Sequence, residues 1–265
     1  MSSIDTLRAA EQLAELQRGS RPLVVPHAWD AGSARVLERA GAAVIGVAAA
    51  DVAWSLGSDR AEQLVLDELL GVCARICRSI AVPATLDLRE THGAADEPRA
   101  LVEALDGFGM AGITLPDAPG RDVARYVAAY RAAACRAGAR LFVEAHIEAP
   151  AASAPTRADR AARYADVARR ARACVAAGAD GVLVTGVDWA EVVSLARELP
   201  VPVGVDVSDG WAPPVHALAR AGVRRVVLGR AMLRSALAAL RTITVEVLDR
   251  GSYDVMSRDA HDDAA

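Results

Sequence analysis

Short runs of Val, Ile and Leu alternate along the chain with longer amphipathic segments that are rich in Ala, Arg, Leu and Glu. The apolar runs are Leu23–Val25, Val44–Ala48, Ala84–Leu88, Gly112–Leu115, Leu141–Ala145, Gly181–Val184, Val203–Val207 and Arg225–Leu228. Such runs, separated by helical segments, are typical of parallel strands that are covered on both faces. Eight βα units in 265 residues close most simply as a (β/α)₈ TIM-type barrel.

The segments between the runs predict the helices of this barrel. An extra N-terminal helix is predicted at Ile4–Gln17, and the others at Ser33–Ala40, Leu66–Ser79, Glu97–Gly107, Asp122–Gly138, Thr156–Gly178, Trp189–Glu198, Pro214–Gly222 and Ala231–Asp249. Gly41, Gly178 and Gly222 each supply a left-handed residue where a helix ends shortly before a strand. We predict one barrel domain over residues 1–256 and a disordered acidic tail over 257–265.

The charged residues exclude several kinds of function. All 30 basic residues are arginine, so mechanisms that need a lysine Schiff base are excluded. A net charge of −4 provides no basic field for nucleic acid. The longest apolar run, Ala42–Ala50, is too short to cross a membrane, and no signal peptide is recognisable. We therefore expect no nucleic-acid or membrane partner, a cytoplasmic location, and four cysteines that are buried, reduced thiols.

In a barrel of this kind the active site lies at the carboxyl ends of the strands. The polar residues that follow the apolar runs are therefore the candidates for the site. They are His27 and Asp30, Asp51, Asp87 with Arg89, Glu90 and His92, Thr114 and Asp117, Glu144 with His146 and Glu148, Thr185, Asp206 and Asp209, and Arg230.

Two motifs near the N-terminus resemble the isocitrate lyase/phosphoenolpyruvate mutase superfamily, in its short-chain, carboxyvinyl-carboxyphosphonate phosphorylmutase-like branch. They are Pro26-His27-Ala28-Trp29-Asp30-Ala31-Gly32-Ser33-Ala34 and Val52-Ala53-Trp54-Ser55-Leu56-Gly57. The resemblance extends from about Pro22 to Arg241. It implies a (β/α)₈ barrel, a bound Mg²⁺ ion, and a lyase that makes or breaks a C–C or C–P bond beside the carboxylate of a small 2-oxo or 2-hydroxy acid.

The chain departs from this family where the resemblance assigns metal and substrate ligands. Asp87-Leu88-Arg89 stands in place of Asp-x-Asp or Asp-x-Glu, and Thr114-Leu115-Pro116-Asp117 in place of Asn-Leu-Glu-Asp. Glu144-Ala145-His146-Ile147-Glu148 replaces Asn-Ala-Arg-Thr-Asp, and Ala48-Ala49-Ala50-Asp51 replaces a Ser/Gly-rich turn that cradles an anion. Because Mg²⁺ requires several oxygen ligands, we predict that the family's Mg²⁺ site is lost and that no cofactor binds.

Arg89 offers a physical replacement for the metal. Its guanidinium beside Asp87 can take the place of the cation and hold a substrate oxyanion or carboxylate through paired hydrogen bonds. The alternative is an Asp87–Arg89 contact that only braces the mouth of the barrel.

Glu144, His146 and Glu148 alternate along one strand and face the same side if the strand is regular. A histidine between two carboxylates can serve as a general acid/base, and neighbouring negative charge is expected to raise its pKa. The trio can instead be a solvated rim, or can bind a transition metal together with Asp87 or Asp206. We predict that His146, Asp87 and Glu144 are catalytic. The predicted substrate-binding residues are Arg89, Trp29, Asp51, Thr114, His92, Glu148 and Asp206. His27 is expected to be a hydrogen-bonding loop residue.

The predicted function is a diverged, metal-independent lyase that acts on a small carboxylic acid by acid/base catalysis. Two alternatives remain at this stage: a hydrolase or isomerase/mutase that uses the same pocket on another substrate, and a non-catalytic binding subunit. The C-terminal helix carries the apolar run Met232–Leu248. We expect this helix to mediate formation of a homodimer or homotetramer.

Overall fold

The computed structural model describes residues 3–19, 21–58, 60–89, 97–117, 122–150, 156–208, 210, 212–254 and 256. These residues form one parallel sheet that closes on itself, with helices outside, and the predicted (β/α)₈ barrel is confirmed. Its strands are β1 (Leu23–Val25), β2 (His27–Ala28), β3 (Ile45–Ala48), β4 (Ala84–Asp87), β5 (Gly112–Leu115), β6 (Phe142–Glu148), β7 (Gly181–Thr185), β8 (Val203–Asp206) and β9 (Arg225–Val227). The predicted tail, 257–265, lies outside the described residues.

The first strand of the barrel is divided in two at Pro26. β1 pairs with β9 through Leu23 and Arg225, whereas β2 pairs with β3 through His27 and Gly46. Proline lacks an N–H group and cannot donate to a ladder, but the Pro26 carbonyl still accepts a hydrogen bond from Gly46 at 2.8 Å. The two short strands together therefore take the place of one barrel strand, and they close the barrel between β9 and β3.

The helices follow the predicted segments closely. They are α1 (Ser3–Arg18), α2 (Ala31–Arg39), α3 (Ala49–Ser55), α4 (Leu66–Ser79), α5 (Pro98–Phe108), α6 (Val123–Ala137), α7 (Arg157–Ala176), α8 (Trp189–Glu198), α9 (Val215–Ala221) and α10 (Ala231–Val245). A 3₁₀ turn occupies Ala61–Gln63, and a π-helical turn, Glu246–Arg250, follows α10. Three of the four cysteines are buried as expected, but Cys135 is exposed on α6.

Two elements differ from the sequence-based expectation. Helix α3, for which no helix was predicted, begins at Ala49 directly after β3. Alanine is the strongest helix former, so this alanine-rich segment continues as a helix where a Ser/Gly-rich sequence would form a turn. β6 extends to Glu148, three residues beyond the predicted end of that strand.

The polar residue Asp30 in the first motif has a structural task. Its side chain caps α2 by accepting a 2.7 Å hydrogen bond from the backbone N–H of Ser33, and the Ser33 hydroxyl accepts one from the backbone of Asp30 in return. Such reciprocal caps stabilise a helix by about 1 kcal/mol. The motif thus begins α2 and fixes the end of β2, where His27 lies.

The barrel interior is apolar at the amino ends of the strands. Leu13 of α1 packs there against Leu23, Val25, Leu183 and Val227, so α1 covers this end of the barrel. The larger core lies between the strands and the outer helices. Polar side chains can therefore converge only at the other, carboxyl end of the strands or in the layer just below it.

No helix among the described ranges has the length and apolar character needed to cross a membrane.

Candidate active site

A cavity of about 970 Å³ opens at the carboxyl ends of the strands. Five of the residues predicted to be catalytic or substrate-binding line it: Asp87, Arg89, His146, Glu148 and Asp206. His27, Thr185, Ser208, Arg230 and Arg234 also line it, beside an apolar wall that includes Val184, Val187, Val192 and Val205. The barrel therefore brings together polar residues from strands that are far apart in the sequence.

Arg89 is held between two carboxylates at the floor of this cavity. Its Nε and Nη2 atoms each lie 2.7 Å from Oδ2 of Asp87, and Nη1 lies 2.7 Å from Oδ2 of Asp206. The backbone N–H of Arg89 donates to the other Asp87 oxygen at 2.9 Å. Among the residues that the structure describes, these contacts use three of the five side-chain N–H groups of an arginine, so two remain for other hydrogen bonds.

The three charges stabilise one another. Burial alone would raise the pKa of Asp87, but the Arg89 guanidinium and its hydrogen bonds lower that pKa to about 2. The pKa of Asp206 is lowered for the same reason, against the opposing effect of burial. Burial opposes the charge on Arg89 as well, but Asp87 and then Asp206 raise its pKa above the ordinary value. The Asp87–Arg89–Asp206 cluster is therefore fully ionised at neutral pH and carries one net negative charge.

His146 lies on β6 beside this cluster and is almost completely buried. Its Nε2 atom is 2.7 Å from the Thr185 hydroxyl. The expectation that carboxylates raise its pKa is wrong: burial and then the positive charge of Arg89 lower the pKa to about 3. His146 is consequently a neutral imidazole at physiological pH, with one ring nitrogen that donates and one that accepts.

A second buried imidazole, His27, lines the same cavity. It belongs to β2 rather than to a loop, and its Nδ1 has no hydrogen-bond partner among the residues described. Burial is the largest cause that lowers its pKa, to about 4. Its ring fits only because residue 46 is glycine, since a Cβ atom there would lie 2.2 Å from Cδ2 of His27. The motif around Pro26 thus delivers a second neutral imidazole to the site.

Glu144 and Thr114 lie below the cavity and do not line it. The Thr114 hydroxyl donates to Oε2 of Glu144 at 2.8 Å, while Nε of Arg225 lies 3.4 Å from Oε1. Arg225 also donates to the Thr85 hydroxyl at 3.1 Å. These buried residues form a polar layer between the apolar end of the barrel and the cavity. Sequence reasoning missed Arg225, although an arginine as the first residue of an otherwise apolar strand was the available signal.

Glu148 is exposed at the end of β6, where it belongs to the rim of the cavity. Its backbone N–H donates to Asp117 at 2.9 Å, and its carbonyl accepts from Arg170 at 2.7 Å. Arg170 also forms an ion pair with Asp117. Asp117 and Arg170 therefore tie the ends of β5 and β6 to α7.

The remaining predicted site residues lie elsewhere. Asp51 is fully buried in α3, where Nε of Arg230 lies 3.5 Å from its carboxylate, and it does not reach the cavity surface. Trp29 is half-buried beside the cap of α2 and is also absent from the lining. His92 lies outside the described residues, as do Glu90 and Asp209.

The donor set does not fit the Mg²⁺ ion that the family implies. Both oxygens of Asp87 accept hydrogen bonds from Arg89, and Pro116 offers no carboxylate. The donor set does not fit the transition-metal alternative either, because Glu144 is paired with Arg225 below the cavity. In the part of the chain that the structure describes, no three His, Cys, Asp or Glu side chains are grouped to hold a metal ion.

The chain is similar to known proteins over most of its length. The sequence profile of the family named phosphoenolpyruvate phosphomutase matches residues 13–248. A protein from Burkholderia cenocepacia J2315, described as a phosphonomutase, is 31% identical, with 90% of this chain and 99% of that chain covered and a TM-score of 0.80.

Two further solved structures have the same fold. Oxaloacetate acetylhydrolase is 21% identical, with 92% of this chain and 88% of that chain covered and a TM-score of 0.78. 2,3-Dimethylmalate lyase is also 21% identical, with 92% of this chain and 86% of that chain covered and a TM-score of 0.77. Among curated proteins, none matches the sequence significantly.

Proposed function

Because the chain belongs to the phosphoenolpyruvate phosphomutase family and is thus an enzyme of the phosphoenolpyruvate mutase/isocitrate lyase superfamily, we propose that it is a lyase for a small 2-oxo or 2-hydroxy acid that works without the family's Mg²⁺. The observation that carries this proposal is the Asp87–Arg89–Asp206 cluster. A fixed guanidinium occupies the centre of the site, between two carboxylates.

The substrate class is supported by the names of the structural relatives. Oxaloacetate acetylhydrolase and 2,3-dimethylmalate lyase are both named for small carboxylic acids. The polar part of the cavity has hydrogen-bonding groups that suit a carbonyl or hydroxyl, and the apolar wall suits the carbon skeleton.

Arg89 is suited to stabilise an oxygen that gains negative charge during the reaction. Its two remaining N–H groups can donate to the carbonyl or enolate oxygen of the substrate, and Asp87 and Asp206 hold the guanidinium in place. Preorganised donors of this kind contribute several kcal/mol to transition-state stabilisation. This role fits the cluster better than the binding of a full carboxylate, since the cluster already has a net negative charge.

His146 is suited to move a proton together with the change in bonding. In the cleavage direction, the neutral imidazole removes the proton from a substrate hydroxyl. The C–O bond becomes a carbonyl, the C–C bond breaks, and its electron pair forms an enolate on the other fragment. Burial and the positive charge of Arg89 disfavour a protonated His146. His146 therefore has to take up the proton at the same time as the negatively charged enolate forms, because the enolate charge then compensates the charge on the imidazolium. The same proton then neutralises the enolate, and Thr185 keeps the ring oriented.

The proposal is tested by incubating the purified protein with a panel of four- to six-carbon 2-oxo and 2-hydroxy acids, in the presence of EDTA, and following carbon–carbon cleavage by NMR. We expect turnover of at least one acid, with undiminished activity in EDTA and loss of activity in His146→Ala. Arg220→Gln, an exposed change on α9, is the matched control. Activity that requires added Mg²⁺ would contradict the metal-free mechanism, and hydrolysis without C–C cleavage would contradict the reaction type.

We also propose that the protein forms a homodimer or homotetramer through the end of α10 and the π-helical turn. Leu240 is 61% exposed and Leu248 is 78% exposed on this surface, and Val245 lies between them. Exposed apolar side chains of this size along one helical segment favour contact with a second protein surface. The small-molecule partner is the carboxylic acid, and the net charge of −4 argues against nucleic acid.

A further inference from the structure

The cavity has different charges at its floor and on one side of its mouth. Asp87 and Asp206 outnumber the single cation Arg89 at the floor. A substrate carboxylate placed there would face two fixed carboxylates that already accept the hydrogen bonds of Arg89. Unless the substrate carries its own cation, its carboxylate therefore binds more favourably in another part of the cavity. The substrate is a small carboxylic acid under the proposed function, on which this inference rests.

Arginines lie on the side of the mouth formed by the start of α10. Arg230 directly precedes this helix, and Arg234 lies one turn further along it; both line the cavity. The Arg230 side chain is 45% exposed, so that it is accessible from the cavity. Arg234 donates to the carbonyl of Ser208, on the loop that follows Asp206 at the end of β8. Positive side chains therefore flank the cavity beside the floor cluster.

Asp51 explains why Arg230 has a defined position. Its carboxylate is fully buried in the first turn of α3, and Nε of Arg230 lies 3.5 Å from it. A buried carboxylate needs a counter-charge, so this contact draws the guanidinium toward α3. The neighbouring residues Ala48 and Ala50 line the cavity with small side chains, which leaves space there for a ligand.

We propose that Arg230 binds the substrate carboxylate, that Asp51 positions Arg230, and that Arg89 contacts the uncharged carbonyl or hydroxyl group of the same molecule. A guanidinium can grip a carboxylate with two parallel hydrogen bonds, which an ammonium cannot do. The site then selects an acid whose carboxylate contacts Arg230 and whose reacting oxygen, on the neighbouring carbon, contacts Arg89. Asp51, predicted to be a substrate-binding residue, acts through Arg230 without reaching the cavity.

The test compares the binding of malate with that of its uncharged diamide, malamide, by isothermal titration calorimetry. In the wild-type protein we expect malate to bind more tightly than malamide. Arg230→Gln is expected to weaken malate binding by about 10- to 100-fold, the range for a charged hydrogen bond, and to leave malamide binding unchanged. Arg220→Gln serves as the control for removal of a surface arginine. Equal malate affinity in Arg230→Gln and wild type, or no malate binding at all, would overturn the proposal.

Asp51→Asn separates a positioning role from a purely structural one. If Asp51 acts through Arg230, this variant should lose malate affinity and keep malamide affinity, whereas a general disturbance of the cavity would weaken both. Turnover of the acid panel is measured on the same samples. Charge-selective binding that depends on Arg230, without turnover of any acid, would refute the lyase proposal and leave this inference intact. If an acid is turned over, and the preference for malate over malamide disappears in Arg89→Met but not in Arg230→Gln, this inference is refuted and the lyase proposal is left intact.

Discussion

Replacing Arg89 with methionine tests the electrostatics of the floor cluster. The change removes the guanidinium and leaves Asp87 and Asp206 buried beside each other without their counter-ion. The depression of the Asp87 pKa from 3.8 to about 2 corresponds to about 2 kcal/mol of stability at neutral pH. Removing one partner of a buried ion pair costs about 3–5 kcal/mol. At about 2–4 °C per kcal/mol for a protein of this size, we expect the Tm to fall by about 10 °C at neutral pH.

The pH dependence gives the sharper test of the same change. In the wild type the folded-state pKa of Asp87 is depressed, so its contribution is complete above about pH 4 and is lost as the pH falls toward 2. In Arg89→Met, burial without the cation should raise the pKa of both carboxylates, and protonation then relieves their repulsion. Differential scanning fluorimetry at several pH values should show the Tm deficit shrinking from about pH 7 to about pH 4. A deficit that is the same at both values would refute this account, and Arg220→Gln should have no deficit at either.

Three further changes test other parts of the structure. His146→Ala should lower kcat by about 10²–10⁴-fold with little change in KM, as expected for a proton-transfer residue; normal turnover would exclude it from catalysis. Gly46→Ala should displace His27, because the new Cβ would lie 2.2 Å from its ring; a loss of about 1–3 kcal/mol in urea unfolding is expected, and an unchanged unfolding midpoint would contradict the packing. Leu248→Glu should shift a dimer or tetramer toward monomer in light scattering, and a wild-type protein that is already monomeric would disprove the interface.

The strands and helices could be predicted from the sequence because both signals are local. Buried parallel strands read as apolar runs, and glycine marks helix ends at positions such as Gly178 and Gly222. The division of the first strand at Pro26 follows from the missing N–H group of proline. The run of apolar residues predicted only the first part of this strand, Leu23–Val25, and did not indicate the second part, β2. Helix α3 was missed because three successive alanines continue smoothly from an apolar strand into a helix.

The site was only partly predictable because its contacts cross the barrel. Sequence position placed Asp87, Arg89, His146 and Asp206 at strand ends, and all four meet in the cavity. The sign of the His146 pKa could not be found in this way. Glu144, two residues before His146, is paired with Arg225 on β9, which is not a neighbour of β6 in the sheet.

The dominant charge near His146 comes instead from Arg89, fifty-seven positions away in the chain. Alternation along one strand identifies which residues share a face, but it carries no information about what lies across the barrel.

The claim that a guanidinium replaces the family's metal ion can be measured directly with Mn²⁺, a paramagnetic substitute for Mg²⁺. Electron paramagnetic resonance of the wild-type protein titrated with Mn²⁺ reports the free ion, and the account predicts no saturable binding that depends on Asp87. Arg89→Asp, which returns an acid to this position, should create such binding. Saturable Mn²⁺ binding to the wild type that is abolished in Asp87→Asn would contradict the account.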